Sequence, residues 1–77
     1  MYNGHKNWNH WNVSLWINND EGLYRMALNY VKFKGRSYSK DKCAEAMLSE
    51  LHDVGITHTP DGAPYSKSAI RAAMVGM

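Results

Sequence analysis

The spacing of the tryptophans constrains the fold of this chain most. All three lie between Trp8 and Trp16, and together with one leucine they follow the i, i+3, i+7, i+8 pattern of a helix face: Trp8, Trp11, Leu15 and Trp16. This spacing predicts a helix over about residues 7–17, in which Val13 and Ile17 widen the apolar stripe. A chain of 77 residues has few large side chains from which to build a core. We therefore expect Trp11 and Trp16 to be buried, and the polar residues to take the opposite side of the helix: Asn9, His10, Asn12 and Ser14.

Capping residues and apolar spacing predict a second helix over about residues 19–32. The sequence from Asn18 to Glu21 has the residue types of a capping box. Apolar side chains then follow at helical spacing: Tyr24, Ala27, Leu28 and Val31. Residues 30–34 alternate apolar and charged side chains, so a short strand is an alternative there. Gly35 ends the element in both cases.

A third helix is predicted over about residues 40–54, and a fourth begins after Ser66. Ser39 precedes the third helix and Gly55 follows it, as an N-cap and a C′ glycine do. The turn Pro60-Asp61-Gly62 marks the intervening residues 56–64 as a loop. The sequence thus predicts one all-α domain, residues 1–77, of four short helices. The last two would form a helix-turn-helix-like pair.

A short pattern occurs before both of these helices. It is present as Gly35-x-x-Tyr38-Ser39-Lys40 and again as Gly62-x-x-Tyr65-Ser66-Lys67. We interpret the two copies as the same N-cap chemistry rather than as a true repeat, because repeat folds need about three units. Each tyrosine also occupies a hydrophobic-staple position, opposite Cys43 in the first copy and Ile70 in the second.

The sequence contains no constellation typical of a catalytic or metal site. The single cysteine, Cys43, excludes an intramolecular disulfide and a thiolate zinc cluster, and on a buried helix face it would be inert. His5 and His10 do not have the i, i+4 spacing of helical zinc ligands. The glycines form neither a P-loop nor a dinucleotide-binding pattern. We therefore predict a non-enzymatic protein with no cofactor and no metal.

The distribution of positive charge suggests a partner. The net charge is only +2, but five of the nine cations fall within the basic segment, residues 32–42, where Phe33 and Tyr38 are interleaved with them. The predicted outer face of the fourth helix adds further polar and basic residues. Both regions are candidate phosphate contacts, and the alternative is a merely solvated positive surface. The predicted nucleic-acid-binding residues are Lys34, Arg36, Lys40, Lys42, Lys67, Ser68 and Arg71.

The first third of the chain resembles a family of short phage and plasmid proteins of unknown function. The residues that carry this resemblance are Asn7-Trp8-Asn9-His10-Trp11-Asn12-Val13-Ser14-Leu15-Trp16-Ile17, where those proteins read Asn-Tyr-Glu-Thr-Trp-Asn-Val-Ala-Leu-Trp-Ile. Tyr2-Asn3-Gly4 and the stretch from Asn19 to Tyr24 are similar to them too. The resemblance implies a protein of a mobile genetic element and carries no chemistry.

The last third resembles a different family, the large serine recombinases, in a helix–loop–helix of their recombinase domain. Those proteins read Gly-Ile-x-Thr-Pro-x-Gly, then an aromatic residue and Ser, then a helix with Ile-Arg. Here the corresponding residues are Gly55-Ile56-Thr57-His58-Thr59-Pro60-Asp61-Gly62, then Tyr65-Ser66 and Ile70-Arg71, with one extra residue before Thr59. In that family the segment belongs to a DNA-contacting region. The catalytic serine domain has no counterpart, so recombinase chemistry is not implied.

Two functions follow as expectations. The leading one is an accessory protein of a phage or mobile element that binds DNA through the fourth helix and the basic segment. The alternative is an inhibitor that binds a host enzyme or defence complex, such as a nuclease, RNA polymerase, or restriction or CRISPR machinery, through the first helix: Trp8, Asn9, His10 and Asn12. Neither a signal peptide nor a membrane-spanning apolar run is evident, so we expect the cytoplasm of a bacterial host and no membrane partner.

Overall fold

The computed structural model describes residues 6–77, in which four α-helices and one 3-10 turn are present. They are α1 (Trp8–Asn19), α2 (Glu21–Lys32), the 3-10 turn (Lys34–Arg36), α3 (Lys40–Asp53) and α4 (Lys67–Met74). No strand occurs in this part of the chain, which confirms the predicted all-α class. The motif residues Tyr2-Asn3-Gly4 and the residue His5 lie outside the described residues.

Each α-helix begins after a residue whose side chain accepts a hydrogen bond from the backbone amide three positions on: Asn7, Asp20, Ser39 and Ser66. The prediction that Asn18 caps the second helix is wrong. Helix α1 continues to Asn19, so the Asn18 side chain lies inside it and donates to the Ser14 carbonyl instead. The alternative of a strand over residues 30–34 is also wrong, because α2 continues to Lys32 and the 3-10 turn follows.

The end of α3 has the hydrogen bonds of a Schellman motif. Gly55 adopts a φ of 82°, its amide donates to the His52 carbonyl at 3.0 Å, and the Ile56 amide donates to the Leu51 carbonyl at 2.8 Å. The chain then runs through residues 54–66 before α4. Helices α3 and α4 are packed neighbours, but this connection is longer than the turn of about three or four residues in a helix-turn-helix.

The core lies where α4 packs between α1 and α3, with α2 closing one side. Its members are mostly small or medium-sized side chains, which let the helices approach closely: Val13, Ile17, Ala27, Cys43, Ala44, Met47, Leu51, Ala63, Tyr65, Ala69, Ile70, Ala73 and Met74. Three of them, Ile70, Ala73 and Met74, have the i, i+3, i+4 spacing from which the sequence predicts the inner face of the fourth helix.

The buried face of α1 agrees with the prediction only in part. Val13 and Ile17 are fully buried, whereas Trp11 and Trp16 are half-buried and Trp8 is exposed. Apolar side chains occur all around this helix, so spacing alone does not select a face. The buried apolar residues of this helix are its shorter ones. Two polar residues, Asn12 and Ser14, are buried beside them, and hydrogen bonds satisfy their side chains.

Candidate nucleic-acid interface

The outer face of α4 presents the three residues predicted for it. Ser66 caps the helix, and Lys67, Ser68 and Arg71 are exposed on it. The Ser68 hydroxyl lies 3.2 Å from Nε2 of His10 in α1, which fixes this face against the neighbouring helix. The predicted orientation of the helix, inner stripe and outer polar face, is therefore present.

The two cations of α4 share one carboxylate. Arg71 Nε lies 2.8 Å from Asp41 Oδ1, and Lys67 Nζ lies 3.7 Å from Asp41 Oδ2. All three side chains are roughly half exposed. Because Asp41 belongs to the first turn of α3, the pair links two helices and lowers the positive potential of the α4 face. Sequence reasoning missed this role: Asp41 is far from Lys67 and Arg71 in sequence, and its own neighbours are lysines.

The basic segment has a different electrostatic character. Every residue from Lys32 to Lys42 is exposed. Within residues 6–77, none of its five cations lies within ion-pair distance of a carboxylate. Its one acid, Asp41, is directed toward α4. The segment thus keeps most of its positive charge available to an external anion.

The backbone of the basic segment is tightly folded. The amides of Ser37 and Tyr38 both donate to the carbonyl of Lys34, at 3.0 and 2.7 Å. Ser39 then caps α3 by accepting from the Lys42 amide. The segment is therefore a short corner between two helices rather than an extended strand.

The structure divides the predicted nucleic-acid-binding residues into two groups. Asp41 and Glu50 are nine positions apart on α3, two and a half turns at about 3.6 residues per turn, so they lie on opposite sides of this helix. Lys67 and Arg71 lie on the Asp41 side of α3, because they pair with Asp41. Lys34 lies on the Glu50 side, because Lys34 and Glu50 line the same groove between α2 and α3. Lys40 and Lys42, beside Asp41 in the first turn of α3, lie between the two groups along the chain.

The groove between α2 and α3 has a volume of about 650 Å³ and is lined by Met26, Tyr30 and Phe33 among others. Tyr30 donates a hydrogen bond to the Glu50 carboxylate on its far wall. Partial burial, followed by this hydrogen bond, raises the pKa of Tyr30 to about 12. The groove is therefore lined by a neutral phenol that this hydrogen bond fixes, together with the charged residues Arg25, Lys34 and Glu50.

The protein interface predicted on α1 is not assembled as expected. Asn12 was predicted to be exposed, but it is 1% exposed. Its amide donates to Asp61 Oδ2 at 2.9 Å and its carbonyl oxygen accepts from Thr59 Oγ1 at 2.5 Å. Trp8 remains exposed, and Asn9 and His10 are half-buried. The prediction failed because a buried amide is stable once its hydrogen bonds are satisfied, and its partners are distant in sequence.

These hydrogen bonds join the two sequence motifs. Trp16 of the first motif donates from Nε1 to Asp61 of the second at 2.9 Å, beside the bond from Asn12. Thr59 Oγ1 in turn accepts from the Ala63 amide at 3.0 Å, which closes the turn over Pro60-Asp61-Gly62. The hydrogen bonds from Asn12 and then from Trp16 lower the pKa of Asp61. In this structure both motifs serve to fix the 54–66 loop to α1.

The part of the chain that the structure describes contains no group of three or more His, Cys, Asp or Glu side chains that could hold a metal ion. Cys43 is buried, and its thiol donates to the Tyr30 carbonyl at 3.4 Å.

None of the helices over residues 6–77 combines the length and apolar character needed to cross a bilayer.

Comparison with known proteins yields a family and no function. No curated protein and no solved structure matches the chain. One family model, described as a family of unknown function (DUF7249), matches residues 1–77. Because this match spans every residue of the sequence, the chain belongs to the family of unknown function DUF7249.

Proposed function

We propose that this protein is a non-enzymatic nucleic-acid-binding protein that contacts DNA phosphates through the basic segment, with the α4 face as a second contact. The observation that carries the proposal is that the five cations in residues 32–42 are exposed and that none of them pairs with a carboxylate of residues 6–77. Phosphate contacts by such cations release condensed counterions and supply most of the affinity of non-specific binding.

The α4 face adds less than its sequence suggests. A phosphate that binds Lys67 or Arg71 must compete with Asp41, which already holds both cations. The contribution of these two residues to DNA affinity is therefore the free energy of their contact with phosphate minus that of the contact with Asp41 that it replaces. We therefore expect larger contributions to DNA affinity from Lys34, Arg36, Lys40 and Lys42 than from Lys67, Ser68 and Arg71.

The resemblance of residues 7–17 to short phage and plasmid proteins supports a role as an accessory protein of a mobile element, acting in the cytoplasm of a bacterial host. The turn motif at residues 55–62 adds less support, since its Thr59 and Asp61 are engaged in holding the loop to α1.

A second candidate is an inhibitor that binds a host enzyme or defence complex. The groove between α2 and α3 favours it, because its apolar walls and the exposed Phe33 resemble a protein-docking surface more than the first helix does. Of the four residues predicted for an interface on α1, only Trp8 is exposed.

Fluorescence anisotropy with labelled DNA over a series of salt concentrations tests the leading proposal. With about four phosphate contacts, the slope of log affinity against log salt for duplex DNA should be near −4. Replacing Lys34 and Arg36 with alanine should lower both the affinity and this slope. The matched control, Lys6→Ala with Arg25→Ala, removes the same charge outside both predicted regions and should change them less. No binding at low salt would exclude the proposal and favour the protein-binding candidate.

A further inference from the structure

The basic segment exposes two aromatic rings that do not contribute to the core. Phe33 is 67% exposed and Tyr38 is 42% exposed. Neither belongs to the core cluster or to the half-buried residues packed against it. A phenylalanine this exposed forgoes the stabilisation that burial of an apolar ring normally gives a small domain. Folding therefore does not explain the presence of these rings at the surface.

Both rings flank the tight corner that carries the cations. Phe33 directly precedes Lys34, whose carbonyl accepts hydrogen bonds from the amides of Ser37 and Tyr38. Arg36 lies inside the same corner, in the 3-10 turn. Tyr38 also shares a shallow surface depression with Lys42 on the first turns of α3. The rings and the charges are thus held close together by backbone hydrogen bonds before any ligand binds, which reduces the ordering cost of binding.

Exposed rings between cations match the chemistry of a single strand. Proteins that bind single-stranded nucleic acid combine positive charge along the backbone with aromatic side chains on which bases stack. In a duplex the faces of the bases are already stacked on each other, so rings at the surface gain little from it. A 3-10 turn of three residues also offers no helix that could enter a major groove.

We propose that the basic segment is a stacking platform for single-stranded nucleic acid, in which Phe33 and Tyr38 each receive a base while Lys34, Arg36 and Lys42 hold the phosphates. This inference rests on the proposed function and narrows its ligand from nucleic acid in general to single strands. Glu45, which lines the same depression as Tyr38 and Lys42, and Glu50 near Lys34 limit the approach of phosphates from the α3 side. The strand therefore runs over the corner rather than along the helix.

The test compares labelled oligothymidylate and oligouridylate with a mixed-sequence duplex of the same length, by fluorescence anisotropy at one salt concentration. The variants are Phe33→Leu and Tyr38→Leu, which keep an apolar side chain but remove the ring. Tyr38→Phe restores the ring without the hydroxyl. The matched control is Tyr24→Leu, because Tyr24 is 38% exposed but lies on α2, outside the basic segment. Circular dichroism confirms that each variant is folded.

We expect wild type to bind both single strands more tightly than the duplex. Each leucine variant in the basic segment should weaken single-strand binding by about fivefold or more, with Tyr38→Phe and Tyr24→Leu close to wild type. Duplex binding equal to or tighter than single-strand binding, with no effect of either leucine variant, would overturn the stacking platform and leave the proposed function intact. Absence of binding to every oligonucleotide would overturn both.

Discussion

The two copies of the Gly-x-x-Tyr-Ser-Lys pattern share the same helix cap and have opposite surroundings. In both, the serine caps the following helix by accepting an amide hydrogen bond, from Lys42 in the first copy and from Ala69 in the second. Tyr65 is 5% exposed and belongs to the core, whereas Tyr38 is exposed. Lys67 is paired with Asp41, whereas Lys40 has no carboxylate partner within residues 6–77.

The difference shows that local sequence determines the helix cap. The packing of the helices determines whether the tyrosine is buried and whether the lysine is paired. The second copy ends a loop that the hydrogen bond from Asn12 to Asp61 attaches to α1. Within this loop the Tyr65 amide donates to the Thr57 carbonyl at 3.0 Å. This places the ring of Tyr65 between helices. The first copy ends the exposed corner between α2 and α3, and Tyr38 has no such cover. The second copy therefore stabilises the fold, and the first remains available to a ligand.

Truncation of the two tyrosines should give the largest contrast. Tyr65→Ala removes a buried aromatic ring and should cost about 3 kcal/mol or more of unfolding free energy, a large share of the stability of a domain of this size. Tyr38→Ala should change it by no more than about 0.5 kcal/mol, because the ring is exposed. Urea denaturation followed by circular dichroism measures both. Similar losses for the two variants would show that the copies are not distinguished by packing.

The loop that positions the second copy should depend on Asn12. Asn12→Ala leaves the Thr59 hydroxyl without its acceptor and removes one of the two side-chain hydrogen bonds to Asp61, so it should cost about 1–3 kcal/mol. Asn19→Ala is the matched control, because within residues 6–77 the exposed Asn19 side chain bonds only to the Leu15 carbonyl one turn back. This substitution should cost less than about 1 kcal/mol. If the control destabilises the domain as much as Asn12→Ala, the loop is held by something other than this hydrogen-bond network.

The same network should make stability depend on pH. Hydrogen bonds from Asn12 and Trp16 to the charged carboxylate lower the pKa of Asp61 in the folded state. A depressed folded-state pKa contributes stability above the unfolded value of about 3.9, and this contribution disappears as the pH falls through the folded value. Asp61→Asn should therefore lose stability near neutral pH and show a flatter decline in acid. Thermal melts over an acid series measure this, and an unchanged decline would remove Asp61 from the explanation.

The smallest expected effect concerns Asp41. Asp41→Asn releases Lys67 and Arg71 from an exposed ion pair, so the unfolding free energy should change by less than about 1 kcal/mol. If the α4 face is limited by this pairing, the variant should bind DNA more tightly than wild type and with a steeper salt dependence. Unchanged affinity and slope in anisotropy titrations would show that α4 does not contact phosphate.

The sequence predicts those features that neighbouring residues decide. The all-α class, the caps at Ser39 and Ser66, the C′ glycine Gly55 and the inner face of α4 all follow from patterns within a few positions. Apolar spacing did not predict which face of α1 is buried, because tryptophans and smaller apolar residues surround that helix.

The candidate site depends on contacts between residues that are distant in sequence, and these contacts could not be predicted from local patterns. Asn12 looks like an exposed amide until Thr59 and Asp61 are brought beside it. In the sequence Lys67 and Arg71 have no nearby carboxylate, and only the fold shows that both pair with Asp41. Sequence patterns identify the charged and polar groups of the site, but only the packing of the helices shows which of them are already engaged.

The central claim is that the basic segment contacts nucleic acid more than α4 does, and amide chemical-shift mapping tests it most directly. Titration of ¹⁵N-labelled protein with oligothymidylate should shift or broaden the amide signals of residues 32–42, with the largest changes between Phe33 and Tyr38. The signals of residues 67–71 should change less. Perturbations centred on α4, or an unchanged spectrum at low salt, would contradict the claim.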